Sequence, residues 1–213
     1  MKVFKFGGAS VKDVDSVKNM ATIIEANISD QLVVIVSAMG KMTNAFEAVL
    51  QKLIDEENHS EALQYVKDFH LGIVSDLGLA GNQQLNQEIQ ADFESVDHEL
   101  DRFSSSMGYD FLYDQTVSFG EILSTRIVAA YLNTRQIKTA WLDARKMVKT
   151  DNIHRQALVD WGATQNIIRS QVSQQTGFDV VLTQGFIGSN AKFNTTTLGR
   201  EGSDFSAAIF ATS

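Results

Sequence analysis

The chain has 213 residues, enough for one well-formed hydrophobic core and short for two. Apolar residues make up 44% and charged residues 21%, the balance of an ordinary globular domain. Cysteine is absent, which excludes a disulfide framework, thiol catalysis and thiolate metal sites, and the net charge of −8 argues against the basic surface that nucleic-acid phosphates demand.

No segment approaches the ~20 apolar residues that span a bilayer, so no membrane partner is expected. The amino-terminal "MKVFKFGGAS" meets glycine too early for the apolar core of a secretion signal, and a cytoplasmic protein is the expectation. Charge is distributed unevenly. Between Glu47 and Asp101 the acids outnumber the bases heavily, with only Lys52 and Lys67 opposing them, which predicts a solvated helical face. The remainder is slightly basic and suits an anionic ligand.

"KVFKF" at 2–6 and "LVVIVS" at 32–37 read as strands, the second apolar on both faces as a buried parallel strand should be. Between them Val14, Val17, Met20, Ile23, Ile24 and Ile28 recur at helical spacing, with Ser10 and Asp13 placed as a capping box. From Thr43 to about Ser105 the pattern is helical, with breaks near 58–60 and 78–82. A further helix is predicted from Glu121 to Thr134, then strands at 138–143 and 179–188 and a strand or half-hairpin at 192–198. A last helix is predicted from Asp204 onward. Strands alternating with helices predict an α/β protein with a mainly parallel sheet covered on both faces.

In such a sheet, ligands sit beyond the carboxyl ends of the strands. Glycine-rich polar residues cluster there: Gly7-Gly8-Ala9-Ser10, Ser37 to Asn44, Gly185 to Gly188, and Gly199 to Asp204. Each lies between a strand and a helix, where bare backbone and the unpaired N–H groups of a helix start favour anions. One such junction is unremarkable; several in a short chain point to a phosphate site. There is no G-x-x-x-x-G-K-[ST] loop, no G-x-G-x-x-G fingerprint and no protein-kinase H-R-D or D-F-G element.

Lys5 is either a solvent-facing charge on an edge strand or an ammonium directed at phosphate across Gly7 and Gly8. Glu121, read as opening a helix, either complements the helix dipole or holds a ligand amine. Arg200 offers a planar fork for a carboxylate. Asp204 suits a helix start and could also orient Lys5. The histidines at 59, 70, 98 and 154 lack metal-ligand spacing.

"KFGGAS" (5–10), "VSAMGKMTN" (36–44), "SFGEILSTRIVAAYL" (118–132), "WLDAR" (141–145), "GFIGSN" (185–190) and "TTTLGREGSDFSAA" (195–208) together resemble the aspartate kinases of the amino-acid kinase family. The blocks come in the family's order and cover nearly the whole chain. The resemblance implies a three-layer αβα sandwich that phosphorylates the β-carboxylate of L-aspartate with ATP. It assigns Lys5 to the transferring phosphoryl group, and Gly7 and Gly8, with Ser10 nearby, to the phosphate-facing turn. It assigns Ser37, Thr43 and Ser203 to the aspartate pocket, Glu121 to the α-ammonium and Arg200 to the α-carboxylate. Asp204 would position Lys5. Mg²⁺ would be held chiefly by the ATP phosphates, with no metal ligands from the chain.

A substrate carboxylate with a reference pKa near ~3.9 is already ionised at neutral pH, so this chemistry needs no general base. It needs charge stabilisation on the moving phosphoryl group. The chain departs from the family at Ala9, often Thr, and at Glu201, often Gly. In the family the kinase domain continues beyond the G-R-x-G-S-D block, supplies most adenine and ribose contacts there, and is usually followed by regulatory ACT domains. On that pattern, residues 1–213 are the amino-terminal part of an amino-acid kinase domain, incomplete at the C-terminus, with no ACT domain. Weak or absent turnover by this chain alone is then the expectation, and homodimerisation is a further one. The alternatives are a non-catalytic amino-acid-binding remnant, or a relative acting on acetylglutamate, glutamate, carbamate or UMP. Glu121 and Arg200, suited to a free amino acid, argue against the last two.

Overall fold

The computed structural model describes residues 2–28 and 31–213. Its centre is a four-stranded parallel sheet of β1 (Lys2–Phe6), β2 (Leu32–Val36), β4 (Val180–Gln184) and β3 (Thr139–Leu142), in the order β1-β2-β4-β3. The register aligns Phe6 with Val36 and Val36 with Gln184, so three strands end level. β5 (Ile187–Ser189) and β6 (Thr195–Thr197) form a separate antiparallel hairpin.

β2 shows why the sheet lies in the middle. All five of its residues are buried, and side chains alternate between faces. Leu32, Val34 and Val36 join one core with Val17 and Met20 of α1 (Val14–Glu25), Phe46 of α2 (Met42–Ile54) and Ile122 and Ile127 of α5 (Tyr109–Thr134). Val33 and Ile35 join a second core with Met147 of α6 (Ala144–Met147), Ile168 of α7 (Trp161–Ser173) and Ile209 and Phe210 of α8 (Gly202–Ala211). Helices therefore cover both faces, in three layers. Full burial of each aliphatic side chain of β2 contributes roughly 1.5–3 kcal/mol, so this strand is a main source of stability.

α3 (Ser60–Asp76) and α4 (Gln83–Arg102) complete the first layer, and the breaks fall where the sequence predicts them. Most acids between 47 and 101 are exposed, including Glu61 and Asp76 of α3, Glu94 of α4 and Glu56 in the turn before α3. Asp92 is the exception; it is buried and paired with Arg126 of α5, whose guanidinium lies over Trp141.

Several boundaries differ from expectation. Ser10 does not cap α1: Gly8–Val11 forms a 3₁₀ turn, and Asp13 is the cap, accepting from Ser16 N. α5 begins at Tyr109, twelve residues before Glu121, because its first half is buried on most sides and shows no amphipathic stripe. Gly120 is thus interior to the helix. A Cβ there would lie 3.1 Å from the Ala38 Cβ and 3.5 Å from the Phe46 ring, so glycine here admits a close neighbour. α6 and α7 lie where no helix is predicted; α7 buries only Thr164, Ile168 and Val172, too sparse a stripe to read. The segment 179–188 is broken at Phe186, whose φ of 72° turns the chain out of β4 and into the hairpin. α8 starts at Gly202, just before the predicted Asp204.

His70 of α3 is fully buried, its Nδ1 against the Val66 carbonyl at 2.8 Å and its Nε2 without a partner. Burial holds its pKa down to about 4 from the ordinary 6.5. The unfolded chain therefore takes up this proton at higher pH than the folded one. Its contribution to stability is intact above pH 6.5 and falls between 6.5 and 4, by at most ~1.4 kcal/mol per pH unit. His70→Leu should flatten that slope, as measured by urea unfolding of variant and wild type at pH 7, 6 and 5.

Candidate active site

Because Phe6, Val36 and Gln184 are in register, the turns that follow them meet at one end of the sheet. Ser37 N bonds to Phe6 O at 3.1 Å, Gly185 N to Val36 O at 3.0 Å and Gly40 N to Gly8 O at 3.0 Å. A Cβ on Gly8 would lie 2.8 Å from the Ala38 carbonyl oxygen and 2.9 Å from that of Gly40, closer than any side chain permits. The amino end of α8 packs against the same place.

Together these segments enclose a cavity of about 270 Å³ lined by Lys5, Ser37, Thr43, Glu121, Ser203 and Asp204, with Gly8 at its edge. The Lys5 ammonium lies 3.2 Å from Asp204 Oδ1 and 3.3 Å from where a Gly7 Cβ would be. β1 is indeed an edge strand, but Lys5 is partly buried and paired rather than directed into solvent. Asp204 is exposed, so the pair adds little stability; it fixes where the ammonium sits. Ser37 Oγ and Ser203 Oγ are 2.9 Å apart and tie the β2 turn to α8.

Glu121 stands out chemically. Its side chain comes from the middle of α5, not from a helix start, so a dipole role is excluded. It is 2% exposed. Oε1 accepts one long bond from Ala38 N at 3.4 Å, and Oε2 has no partner. Burial raises its pKa from 4.5 to about 8, offset in part by the Ala38 amide and the Thr43 hydroxyl. A carboxyl group buried this way is completed by a cationic donor entering the cavity.

Three sequence-predicted residues are not part of this lining: Gly7, which lies against the Lys5 ammonium, Ser10 and Arg200. Ser10 lines a separate depression with Ser16, Asn19 and Ile23, beside α1. Arg200 lines a neighbouring cavity of about 810 Å³ that shares Phe186 and Gly199 with the first. Glu201 is exposed at the rim, with φ 57° and ψ 22°, a left-handed conformation natural to glycine.

Sequence reasoning misses Phe186, which walls both cavities, and the segment carrying His154 and Arg155. It also misses Asp114, which is 0% exposed and accepts from Thr197, His154 and the Arg155 amide. One signal could have found Asp114: it precedes Glu121 by two helical turns and so shares its face. Nothing in the sequence around His154 marks it. Among the described residues, no group of three or more His, Cys, Asp or Glu could hold a metal, and no helix is long and apolar enough to cross a membrane.

A parallel sheet between two helical layers, with a polar cavity beyond the carboxyl ends of its strands, is an α/β architecture that binds small molecules at that edge. The sequence model of the amino acid kinase family matches residues 1–213, and the chain belongs to that family. It is 33% identical over 209 residues to lysine-sensitive aspartokinase 3 of Escherichia coli K12, covering 98% of this chain and 45% of that protein. The structure of E. coli aspartokinase III with lysine and aspartate superposes with a TM-score of 0.88 at 30% identity, over 99% of this chain and 46% of the other. That of the same enzyme with aspartate and ADP gives 0.87. The chain thus spans just under half the length of these relatives.

Two predictions concern stability. Glu201→Gly should remove the left-handed strain, worth ~1 kcal/mol after the entropy of the added glycine is discounted, and raise the melting temperature by ~2–4 °C. Glu121→Gln should stabilise the chain more at pH 8.5 than at pH 5. The wild-type carboxyl favours the folded state while protonated, and that advantage is lost as pH rises from 4.5 through about 8. Thermal melts of both proteins across this range read the difference directly.

Proposed function

We propose that the chain forms the amino-acid half of an aspartate kinase site, binding L-aspartate and, with MgATP, directing a phosphoryl group to its β-carboxylate. The observation that carries this reading is Glu121, a buried carboxyl group with one unpartnered oxygen lining the Lys5 cavity. A free amino acid supplies the ammonium that such a group lacks, whereas UMP or carbamate does not. The aspartate named in both E. coli structures supports the same substrate.

On this reading Glu121 receives the α-ammonium, and Arg200, whose side chain has no ion-pair partner among the described residues, receives the α-carboxylate. Ser37, Thr43 and Ser203 line the pocket between them. The β-carboxylate then lies toward Lys5. Its oxygen is ionised at neutral pH and attacks phosphorus without a base, the bond to the ADP oxygen breaks, and the products are 4-phospho-L-aspartate and ADP. Lys5, held by Asp204, stabilises the charge on the moving group, and the bare backbone of Gly7 lets the ammonium lie close against the first turn. On this reading MgATP supplies the phosphoryl group, and the metal rests on the ATP phosphates.

The test is calorimetry with L-aspartate, with and without MgATP, joined to trapping of aspartyl phosphate as hydroxamate. Glu121, protonated in the free cavity up to about pH 8, must ionise to hold an ammonium. Binding should therefore release a proton at pH 7, seen as a heat that differs between phosphate and Tris buffers, and affinity should rise by up to ~10-fold per pH unit toward pH 8. Glu121→Gln should abolish the proton release. Binding without hydroxamate would assign this chain the amino-acid half of the reaction alone. No binding of L-aspartate under either condition overturns the reading.

A further inference from the structure

The larger cavity beside the Lys5 site has a construction of its own. Arg155 and Arg200 both line it, one from the loop between α6 and α7 and the other from the turn before α8. We propose that Arg155 is a second carboxylate-binding residue, paired with Arg200, and that Asp114 is the positioning residue that sets both. The inference rests on the reading that this chain binds an acidic amino acid, and it assigns the α-carboxylate of that ligand to two guanidinium groups rather than one.

Asp114 is buried at the base of both segments. Its carboxylate accepts from Arg155 N at 3.0 and 3.2 Å and from His154 Nδ1 at 2.8 Å, which fixes the Arg155 loop. It also accepts from Thr197 Oγ1 at 2.6 Å, which fixes the end of β6 shortly before Arg200. The two segments touch: the Arg155 carbonyl oxygen lies 3.1 Å from where a Cβ on Gly199 would be, and Gly199 has φ 78°. One buried carboxylate therefore sets the relative placement of both arginines.

Arg155 itself is held in a costly conformation. Its φ of 64° is left-handed, a state that glycine adopts freely and arginine does not. A loop with no need for a guanidinium there would gain from glycine. The guanidinium lies over the Tyr113 ring at 4.3 Å, and this stacking occupies its face while leaving its in-plane N–H donors free. Its one ionic contact, to Asp110 at 3.4 Å, is long and solvent-exposed, and such pairs are weak. Asp110 is the single acid lining a cavity that also holds two arginines, so the chamber carries an uncompensated positive charge. A planar carboxylate between two forks satisfies both.

The test compares L-aspartate with its α-amide, which lacks only the α-carboxylate, by titration calorimetry on the whole chain. Arg155→Gly should keep the melting temperature of the wild type, since strain relief offsets the lost stacking, yet bind L-aspartate about 10-fold more weakly. Arg155→Lys should fall between. The α-amide should bind wild type and Arg155→Gly equally. Asp114→Asn should lower affinity for L-aspartate, and adding Arg155→Gly to it should cost less than the single change does; fully additive losses would remove Asp114 from the proposal. Should Arg155→Gly bind L-aspartate within twofold of wild type while Arg200→Ala binds it weakly, the role of Arg155 is overturned and the aspartate reading stands. Should the wild type itself bind no L-aspartate, the aspartate reading falls and takes this inference with it.

Discussion

The parallel register of β1, β2 and β4 is the constraint from which the rest follows. With Phe6, Val36 and Gln184 level, three turns must share one small volume at the end of the sheet. Backbone fills that volume so fully that a single Cβ on Gly8 would collide with two carbonyl oxygens. The amide groups and short side chains left at the surface make a polar pocket without any dedicated loop. The amino end of α8 closes it, and the Lys5–Asp204 pair joins the first strand to the last helix. Residues two hundred apart thus meet because the sheet gives them no other place.

α5 supplies what the turns cannot. It sends two acids, Asp114 and Glu121, into the interior from one face, two turns or ~10 Å apart. They have opposite fates. Asp114 accepts from three residues and spends its whole hydrogen-bonding capacity on holding protein segments in place. Glu121 is left half satisfied. A buried acid in the first condition organises structure, and one in the second waits for a ligand. Both raise the cost of folding, as burial pushes each carboxyl above its ordinary range, and the aliphatic strands on either side of the sheet outweigh that cost.

Much of this was legible before any coordinates. β2 announces itself by apolar residues on both faces, and the glycine clusters after β1, β2 and β4 mark the functional end of the sheet. Lys5, Ser37, Thr43, Glu121, Ser203 and Asp204 do converge on one cavity. What stayed hidden shares a physical cause. The first half of α5 is buried on most sides and so lacks the periodicity that identifies a helix, which in turn concealed Asp114 and made Glu121 look like a helix start. α7 hides for the opposite reason, with too few buried residues to draw a stripe. Ser10 resembles a phosphate contact by its position after two glycines, but the 3₁₀ turn carries it to the far side of the β1 end, beside α1. Arg155 carries no local signal, because its place beside Arg200 depends on Asp114, forty-one residues earlier.

The electrostatics of the Lys5 cavity suit a zwitterion. Lys5 is paired with Asp204, and Glu121 is uncharged in the free protein near neutral pH, so the interior of the cavity carries little net charge, with Glu201 exposed at its rim. A dianion arriving without an ammonium would find one lysine already shared and a buried carboxyl group whose ionisation it disfavours further. An amino acid changes the balance on arrival. On the proposed reading its ammonium would draw the proton from Glu121 and satisfy Oε2, while its carboxylate would turn to the arginines of the adjoining chamber. A site that must bring a carboxylate up to a phosphate gains from this arrangement. On that reading the substrate would be gripped by its α-groups, away from the reaction, and the Lys5 ammonium would serve the transferring group from where Asp204 fixes it.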